Sequence, residues 1–459
     1  MNKAKIGREK CEEIRGATMR RELGAFDLME QTTQVVRELV KDEFEQYAPK
    51  KGMAVFVHGS PSRNEMTTYS DVDILFVETA QNTAGGKIIK ALDKYGFGKV
   101  DEQGWRKQTV VERYVQHSLV DGNKVLDAKF ITGDASLQSW MADLQKRENT
   151  LDRAMKNIFF QRYYLEHYYS NRSTEDAPNV KYQNGGYRDF LMYNWFDNAM
   201  RLYHGKDWVQ EPASTRPNME SALKNMQNNG IISAPRYESA ITAAEFTIML
   251  RNEMLHVNQN TKDKGITHLD TATQERVFAS APAFFGAYGV ENPAAMRVVY
   301  ETHRNTNYRT KMHLWNVLLR EEEKRKGGNW ISTFEAAEHG NSNKLTNDPL
   351  INVATIWGLH YAGDKEQFNA IAKEANDDWE VYASIACSNL ANATVLEGIR
   401  SKCQPIPEQG YILRIIGRNP NSSKETITKI AEDDKLGIYA IVARKRLAEG
   451  LDAAIKRCS

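Results

Sequence analysis

The stretch FVHGSPSRNEMTTYSDVDILFVE, residues 56–78, limits the fold of this chain more than any other part of it. Two β-branched, apolar runs flank a short polar stretch, which is the pattern of two strands joined by a turn. The second run begins with Asp71-Val72-Asp73. Side chains at i and i+2 of a strand share a face, so Asp71 and Asp73 converge while Val72, Ile74 and Phe76 point the other way. Two carboxylates placed side by side repel, and one pKa rises, unless a cation compensates. The fold therefore has to present this face of the strand to a ligand rather than to a core.

The rest of the chain divides by texture. AFDLMEQTTQVVRELVKDEFEQY, residues 25–47, carries apolar residues at helical spacing, and MAVFVHGS reads as the strand ahead of the turn. After DVDILFVE come a helix around AGGKIIKALDKYGF and two further strand candidates, QTVVERYV and NKVLDAKFI. Residues 1–145 thus read as a small mixed-sheet domain with an N-terminal helix. Residues 146–328 lose the strand pattern and carry long amphipathic helices, so the predicted class is α+β with an all-α second domain. RKGGNWISTFEAAEHGNSNKLTNDP, rich in Gly and Asn, reads as a linker. In residues 346–459 a weak repeat aligns Ile371, Ile399 and Ile430, and likewise Ala386, Gly417 and Ala443, as expected of stacked HEAT-like helix pairs offering a protein-docking surface. An ordinary helical bundle is the alternative.

Composition excludes several classes. Lys+Arg number 61 against Asp+Glu 60 in 459 residues, so no net charge draws the chain to nucleic acid or an anionic membrane, and a nucleic-acid partner is not indicated. Cys11, Cys387, Cys403 and Cys458 lie far apart, match no metal-binding spacing and read as free thiols of a reducing compartment. With no apolar stretch of signal-peptide or membrane-span type, the expectation is a cytoplasmic protein with no membrane contact.

The chemistry follows from the residue types. Paired carboxylates with oxygen-only surroundings suit Mg²⁺ or Mn²⁺, which takes one or two carboxylates together with waters and substrate phosphates. Gly59 lets a backbone approach phosphate closely, and Ser60 with the following PSRNE, read as a helix start, offers donors. A third carboxylate is expected on a neighbouring strand. Asp127 in KVLDAKFITGD is the candidate, with Asp134 the competitor in a turn-like Gly-Asp setting. The aromatic cluster FFQRYYLEHYY reads as core, and His256 as structural.

Gly-Ser, a spacer and Asp-x-Asp resemble the signature of the DNA polymerase beta-like nucleotidyltransferase superfamily. The spacer resembles the PII uridylyltransferase family, whose run G-R-x-E-x-x-x-x-S-D-x-D is matched by Arg63, Glu65, Ser70, Asp71 and Asp73, with Ser62 and Ser60 where that family has glycines. VLDAKFITGD is similar to the family's L-L-D-A-R-x-L-x-G-D, placing Asp127 on its aspartate and Lys129 on its arginine. PNVKYQNGGYRDF is similar to P-N-V-K-x-G-x-G-G-L-R-D-I, retaining Gly185, Gly186, Arg188 and Asp189. MLRNEMLHVNQNTKDKGITHLDTATQERV resembles a later helix pair. The likeness spans about residues 25–325.

This resemblance implies transfer of a nucleoside monophosphate, UMP or AMP, from a nucleoside triphosphate to an acceptor hydroxyl, on a protein, with loss of pyrophosphate. Asp71 and Asp73 would hold a metal, Asp127 would complete a second metal site, and Gly59, Ser60, Ser62, Arg63 and Ser70 would line the nucleotide site. Arg188 and Asp189 are either floor residues of that site or an internal salt bridge after a Gly-Gly turn. The family's metal-dependent phosphohydrolase domain needs His-Asp, and none of the ten histidines precedes an aspartate; its ligand-sensing domains have no counterpart in the helical tail. Transfer to RNA ends or a small molecule, or a catalytically silent interaction protein, are the alternatives.

Overall fold

The structure, a computed structural model, describes residues 3–49, 51–79, 84–93, 100–101, 105–117, 119–170, 177–210, 216–258, 268–342, 344–375, 379–403, 410–433 and 440–449. It is an α+β protein, mostly helical, with one small sheet. Cys458 lies outside the described residues. The chain forms two compact units, the first made of Met1–Glu112, Lys124–Thr150 and Arg172–Val317, the second of Arg113–Asn123, Leu151–Asn171 and Leu318–Ser459.

In the first unit, α1 (Lys3–Met19) and α2 (Ala25–Tyr47) precede β1 (Met53–Val57) and β2 (Val72–Glu78), which pair antiparallel from Met53 opposite Glu78 to Val57 opposite Ile74. β1 is central, and all five of its residues are buried, as the unbroken run MAVFV requires of a strand covered on both faces. On its other edge lies β5 (Lys129–Gly133), antiparallel with an irregular register between Val55 and Phe56. The short β3 (Val100–Asp101) and β4 (Trp105–Lys107) both run parallel to β2. α3 (Ala84–Leu92) and β5 pack on α2, and α6 (Ala135–Glu148) packs on β1 and β5.

Further helices of this unit are α8 (Asp189–His204), α9 (Asn218–Asn228), α10 (Ala234–Asn258), α11 (Thr271–Ser280), the short α12 (Pro282–Gly286) and the part of α13 (Pro293–Lys326) up to Val317. α10 is buried almost all round near its C-terminal end, where Arg251, Asn252 and Glu253 follow a run of apolar side chains. A helix buried on every side can carry such residues only if they find partners inside the unit. Those partners belong to α1, to the segment between β1 and β2 and to the loop ahead of α8.

Two expected strands are corrected. QTVVERYV forms the helix α4 (Gln108–His117), with Val111 and Val115 buried four residues apart. NKVLDAKFI is divided: its first half belongs to α5 (Leu119–Leu126), and only Lys129 onward is strand. Asp127 therefore sits in the turn between helix and strand. PSRNE begins no helix either. It is a run of turns in which the Arg63 amide donates to the Gly59 carbonyl at 3.3 Å and that of Glu65 to Ser60 at 3.0 Å, with Asn64 at φ 59°.

The second unit gathers α7 (Leu151–Ser170) with the C-terminal helices, whereas the expected domain of residues 146–328 groups α7 with the helices up to α13. Met155, Ile158, Phe159 and Tyr163 of α7 are buried, Phe159 against Trp330 and Phe334, Tyr163 stacked on Trp357 at 6.0 Å. Trp330 and Phe334 belong to α14 (Trp330–Glu338), a packed helix inside the segment read as a linker. After α15 (Pro349–Ala362) the helices alternate: α16 (Lys365–Lys373), α18 (Ala393–Lys402) and α20 (Lys424–Glu432) contact one another in succession. So do α15, α17 (Trp379–Cys387), α19 (Gly410–Arg418) and α21 (Ile441–Glu449). Ile371, Ile399 and Ile430 are buried on the first row, while Ala386, Gly417 and Ala443 lie on the second. Buried polar groups join successive turns: Asn419 Nδ2 donates to the carbonyls of Ala386 and Ser388, both at 2.8 Å, and Arg446 Nη1 to those of Gly417 and Asn419. Among the described residues no helix is long and apolar enough to cross a membrane.

Candidate functional site

The site is built on the segment between β1 and β2. Gly59 closes β1 with φ +64°, and a Cβ there would stand 2.4 Å from Asp73 Oδ2. Glycine is thus required twice, for the left-handed backbone and for the approach of the Asp73 carboxylate. The His58 amide donates to the Asp73 carbonyl at 3.1 Å, which extends the β1–β2 ladder to the aspartates. Val72 and Ile74 are buried, Asp73 is half-buried and Asp71 exposed, the alternation expected of a strand end that turns its carboxylates outward. Burial, together with Lys124 and Arg63, lowers the His58 pKa to about 3, so the imidazole beside this turn is neutral.

Most other polar residues of the segment hold its shape. Ser62 Oγ donates to the Gly59 carbonyl at 2.8 Å, and Ser70 Oγ accepts the Thr67 amide at 2.9 Å. Both serines are buried, so their hydroxyls brace turns, whereas Ser60 is half-exposed. Arg37 binds the carbonyls of Pro61 and Ser62, the latter at 3.1 Å, and Met66 N–H donates to Thr33 Oγ1. From α10, Asn252 Oδ1 accepts the Thr68 amide at 3.1 Å, and His256 Nδ1 bonds Tyr69 Oη, which donates to Glu12 at 2.6 Å. Glu253, fully buried, is paired by Arg15 through both oxygens, at 2.8 and 2.6 Å. His256 thus braces the segment through Tyr69.

Arg63 and Asp127 meet, in a role the sequence did not disclose. Arg63 Nε donates to Glu65 Oε2 at 2.8 Å and Nη1 to Asp127 Oδ2 at 3.2 Å. Burial alone would weaken the Arg63 charge, yet Glu65 and Asp127 hold it firmly protonated; burial also pushes the Asp127 carboxyl up against the pull of Arg63. Glu65 is fully buried and also accepts from Asn194 Nδ2 at 2.9 Å. Arg63 is thus paired with two carboxylates in this structure. Among the described residues no three His, Cys, Asp or Glu side chains are grouped to hold a metal, so Asp127 does not complete a cluster with Asp71 and Asp73.

The loop ahead of α8 supplies the opposite charge. Asn179 Oδ1 accepts the amides of Lys181 and Tyr182, each at 3.1 Å, and the Arg188 amide donates to the Lys181 carbonyl at 3.0 Å, which brings Lys181 and Arg188 side by side. Each lies 5.0 Å from the Tyr182 ring centre. Gly185, at φ +82°, lies so close to the Arg304 carbonyl of α13 that a Cβ would stand 2.2 Å from it. Asp189 is buried, accepts the Gly185 amide at 2.6 Å and pairs with Lys311 of α13 at 2.9 Å. Of the two roles open to it, Asp189 takes that of an internal salt bridge, with Lys311 as its partner.

Arg251 of α10 packs on the same loop through Tyr187. Its guanidinium lies over the Tyr187 ring at 4.4 Å; the side chain is 9% exposed and its buried Nε has no hydrogen-bond partner. Burial first, then Arg251 and Arg188, push the Lys181 ammonium down to about 7, against the opposing pull of Asp71 and Asp73. Lys181 thus feels the charges of both arginines and both aspartates. Sequence reading passed over Lys181 and left Arg251 without a role, although a lone arginine inside the buried helical run FTIMLRNEM was a visible signal.

No model of a known protein family matches this chain, and no curated protein matches it.

Proposed function

We propose that this protein transfers a nucleoside monophosphate, UMP or AMP, from a nucleoside triphosphate to an acceptor hydroxyl on a protein, releasing pyrophosphate. The observation that carries the proposal is the packing of the Asp73 carboxylate against left-handed Gly59, on the strand end that also presents Asp71. Asp71 and Asp73 fit Mg²⁺ or Mn²⁺ by donor type, as hard oxygens on one exposed face, and Asp127, paired with Arg63, does not join them. Such an ion supplies charge neutralisation at the transferring phosphoryl group. Gly59 keeps the backbone low enough for a phosphate to approach, and half-exposed Ser60 offers it a hydroxyl. Arg63, Glu65 and Asp127 fix the geometry of the segment. Neutral His58 adds no positive charge.

In this reading the first unit holds a nucleotidyltransferase domain with a helical domain after it, and the alternating helices α15–α21 form a HEAT-like repeat that docks the acceptor protein or a regulator. The test is incubation of purified protein with each labelled nucleoside triphosphate, Mg²⁺ or Mn²⁺ and a lysate. Labelling of a protein that Asp71→Ala/Asp73→Ala abolishes supports transfer at these carboxylates. Labelling that survives the double substitution refutes it.

A further inference from the structure

We propose that Tyr69 is a positioning residue for Asp71 and Asp73: its hydroxyl accepts a hydrogen bond from α10, donates one to α1, and so aims the turn that leads into the two aspartates. The proposal rests on the nucleotidyl-transfer reading for the task of those carboxylates, but it is carried by contacts of the turn itself. Residues 67–70 close on themselves. The Ser70 amide donates to the Thr67 carbonyl at 3.0 Å, and the Thr67 amide and hydroxyl both meet Ser70 Oγ, at 2.9 and 3.0 Å. Thr68 and Tyr69 are the two central residues of this turn, and Asp71 follows it directly. Bonds inside a turn set its shape; contacts from outside set its direction.

Those contacts come from α1 and α10. The Thr68 amide donates to Asn252 Oδ1 at 3.1 Å, and the Thr68 carbonyl accepts from Arg8 Nη1 at 2.9 Å. The Arg8 guanidinium lies over the Tyr69 ring, 4.2 Å from its centre. Tyr69 Oη donates to Glu12 Oε1 at 2.6 Å and bonds His256 Nδ1. A phenol has a single proton to give. Glu12 also accepts from Arg8 Nη2 at 3.0 Å and faces Arg15 at 3.7 Å, so its oxygens act as acceptors and take that proton. Tyr69 Oη is then left to accept from His256, which puts the imidazole hydrogen on Nδ1. Arg15, bound to both oxygens of Glu253, joins α1 to α10 without Tyr69. The helix pair therefore survives loss of the hydroxyl. What is lost is the one anchor that ties both helices to the turn at a single atom, two residues ahead of Asp71.

The experiment uses the full chain with 15N-labelled histidine, read by NMR, and titration with Mn²⁺ alone, read by electron paramagnetic resonance. The His256 signals, identified by their loss in His256→Leu, are expected at about pH 8 to show a hydrogen on Nδ1 and none on Nε2. Mn²⁺ binding that Asp71→Ala/Asp73→Ala abolishes locates the metal. Tyr69→Phe, which keeps the ring under Arg8, is expected to weaken that binding about tenfold or more, the usual effect of losing a group that orients a ligand. Its melting temperature should stay within a few degrees of the parent. His256→Asn, whose amide returns an N–H donor, should bind Mn²⁺ as the parent does, and His256→Leu as Tyr69→Phe does. Mn²⁺ affinity unchanged in Tyr69→Phe, or no Mn²⁺ binding to the parent, overturns the proposal. So does a hydrogen on Nε2 in place of Nδ1, and so does Mn²⁺ affinity lost in step with unfolding of Tyr69→Phe, which would mark the hydroxyl as a general structural support. Mn²⁺ binding that follows the expected pattern while no acceptor is labelled leaves the positioning role standing and removes the transfer reading. Labelling by the parent with Mn²⁺ affinity untouched in Tyr69→Phe removes the positioning role alone, so the two fail separately.

Discussion

Replacing Gly59 with alanine puts the geometry of the Asp71–Asp73 turn under direct strain. At φ +64° any L-residue carries a backbone cost of about 1–2 kcal/mol. The added methyl would also stand 2.4 Å from Asp73 Oδ2, about 1 Å inside ordinary contact, so the carboxylate or the turn must move. Displacement of this kind costs about 1–3 kcal/mol in packed surroundings. Gly230 supplies the control: it has φ +70°, and a Cβ there meets nothing within 4 Å. Gly230→Ala should therefore lose the backbone share alone, and Gly59→Ala should lose more by the cost of moving Asp73. Against a stability of about 5–15 kcal/mol both variants stay folded. Denaturant midpoints and nucleotide labelling are measured in parallel. Gly59→Ala should be the less stable and should lose labelling, while Gly230→Ala keeps it. Equal stability loss in the two variants, with labelling intact in Gly59→Ala, would refute the placement of Asp73 against Gly59 as a functional contact.

Other consequences are checkable in the same preparations. Lys311→Met leaves buried Asp189 without its partner and should cost about 3–5 kcal/mol by chemical denaturation. Asn419→Ala removes the buried amide that bonds the carbonyls of Ala386 and Ser388 in the second unit, a loss of about 1–3 kcal/mol on the same scale. Asp134 accepts the Gly52 and Ser136 amides and the Ser136 hydroxyl, which lower its pKa from 3.8 to about 2. A depressed folded-state pKa gives stability that is present above about pH 4 and lost as pH falls towards 2. Asp134→Asn should therefore flatten that part of the acid limb in a melting-temperature profile, and an unchanged limb would contradict it.

What could be read from the sequence was whatever a single element decides for itself. β1 and β2 were legible because MAVFV and DVDILFVE carry strand-forming side chains along their whole length, and α2 because its apolar residues recur at helical spacing. QTVVERYV was misread because valine and tyrosine favour strands locally, whereas burial of Val111 and Val115 on one helical face decided the outcome. The linker reading failed for a similar reason: its Gly and Asn flank α14, whose Trp330 and Phe334 pack on Phe159 of α7. The aspartate pair was visible as a strain in the pattern. The pairing of Arg63 with Asp127, and of Asp189 with Lys311, was not, because each joins residues far apart in the chain. A motif shows which charges are present and leaves open which of them neutralise one another.

The most direct test is nucleotide labelling by the protein bearing Asp71→Ala and Asp73→Ala, compared with the parent under each nucleoside triphosphate and Mg²⁺ or Mn²⁺. The account predicts that the parent labels an acceptor protein and that the double variant, folded as judged by its melting curve, does not. Labelling undiminished in the folded double variant would contradict it.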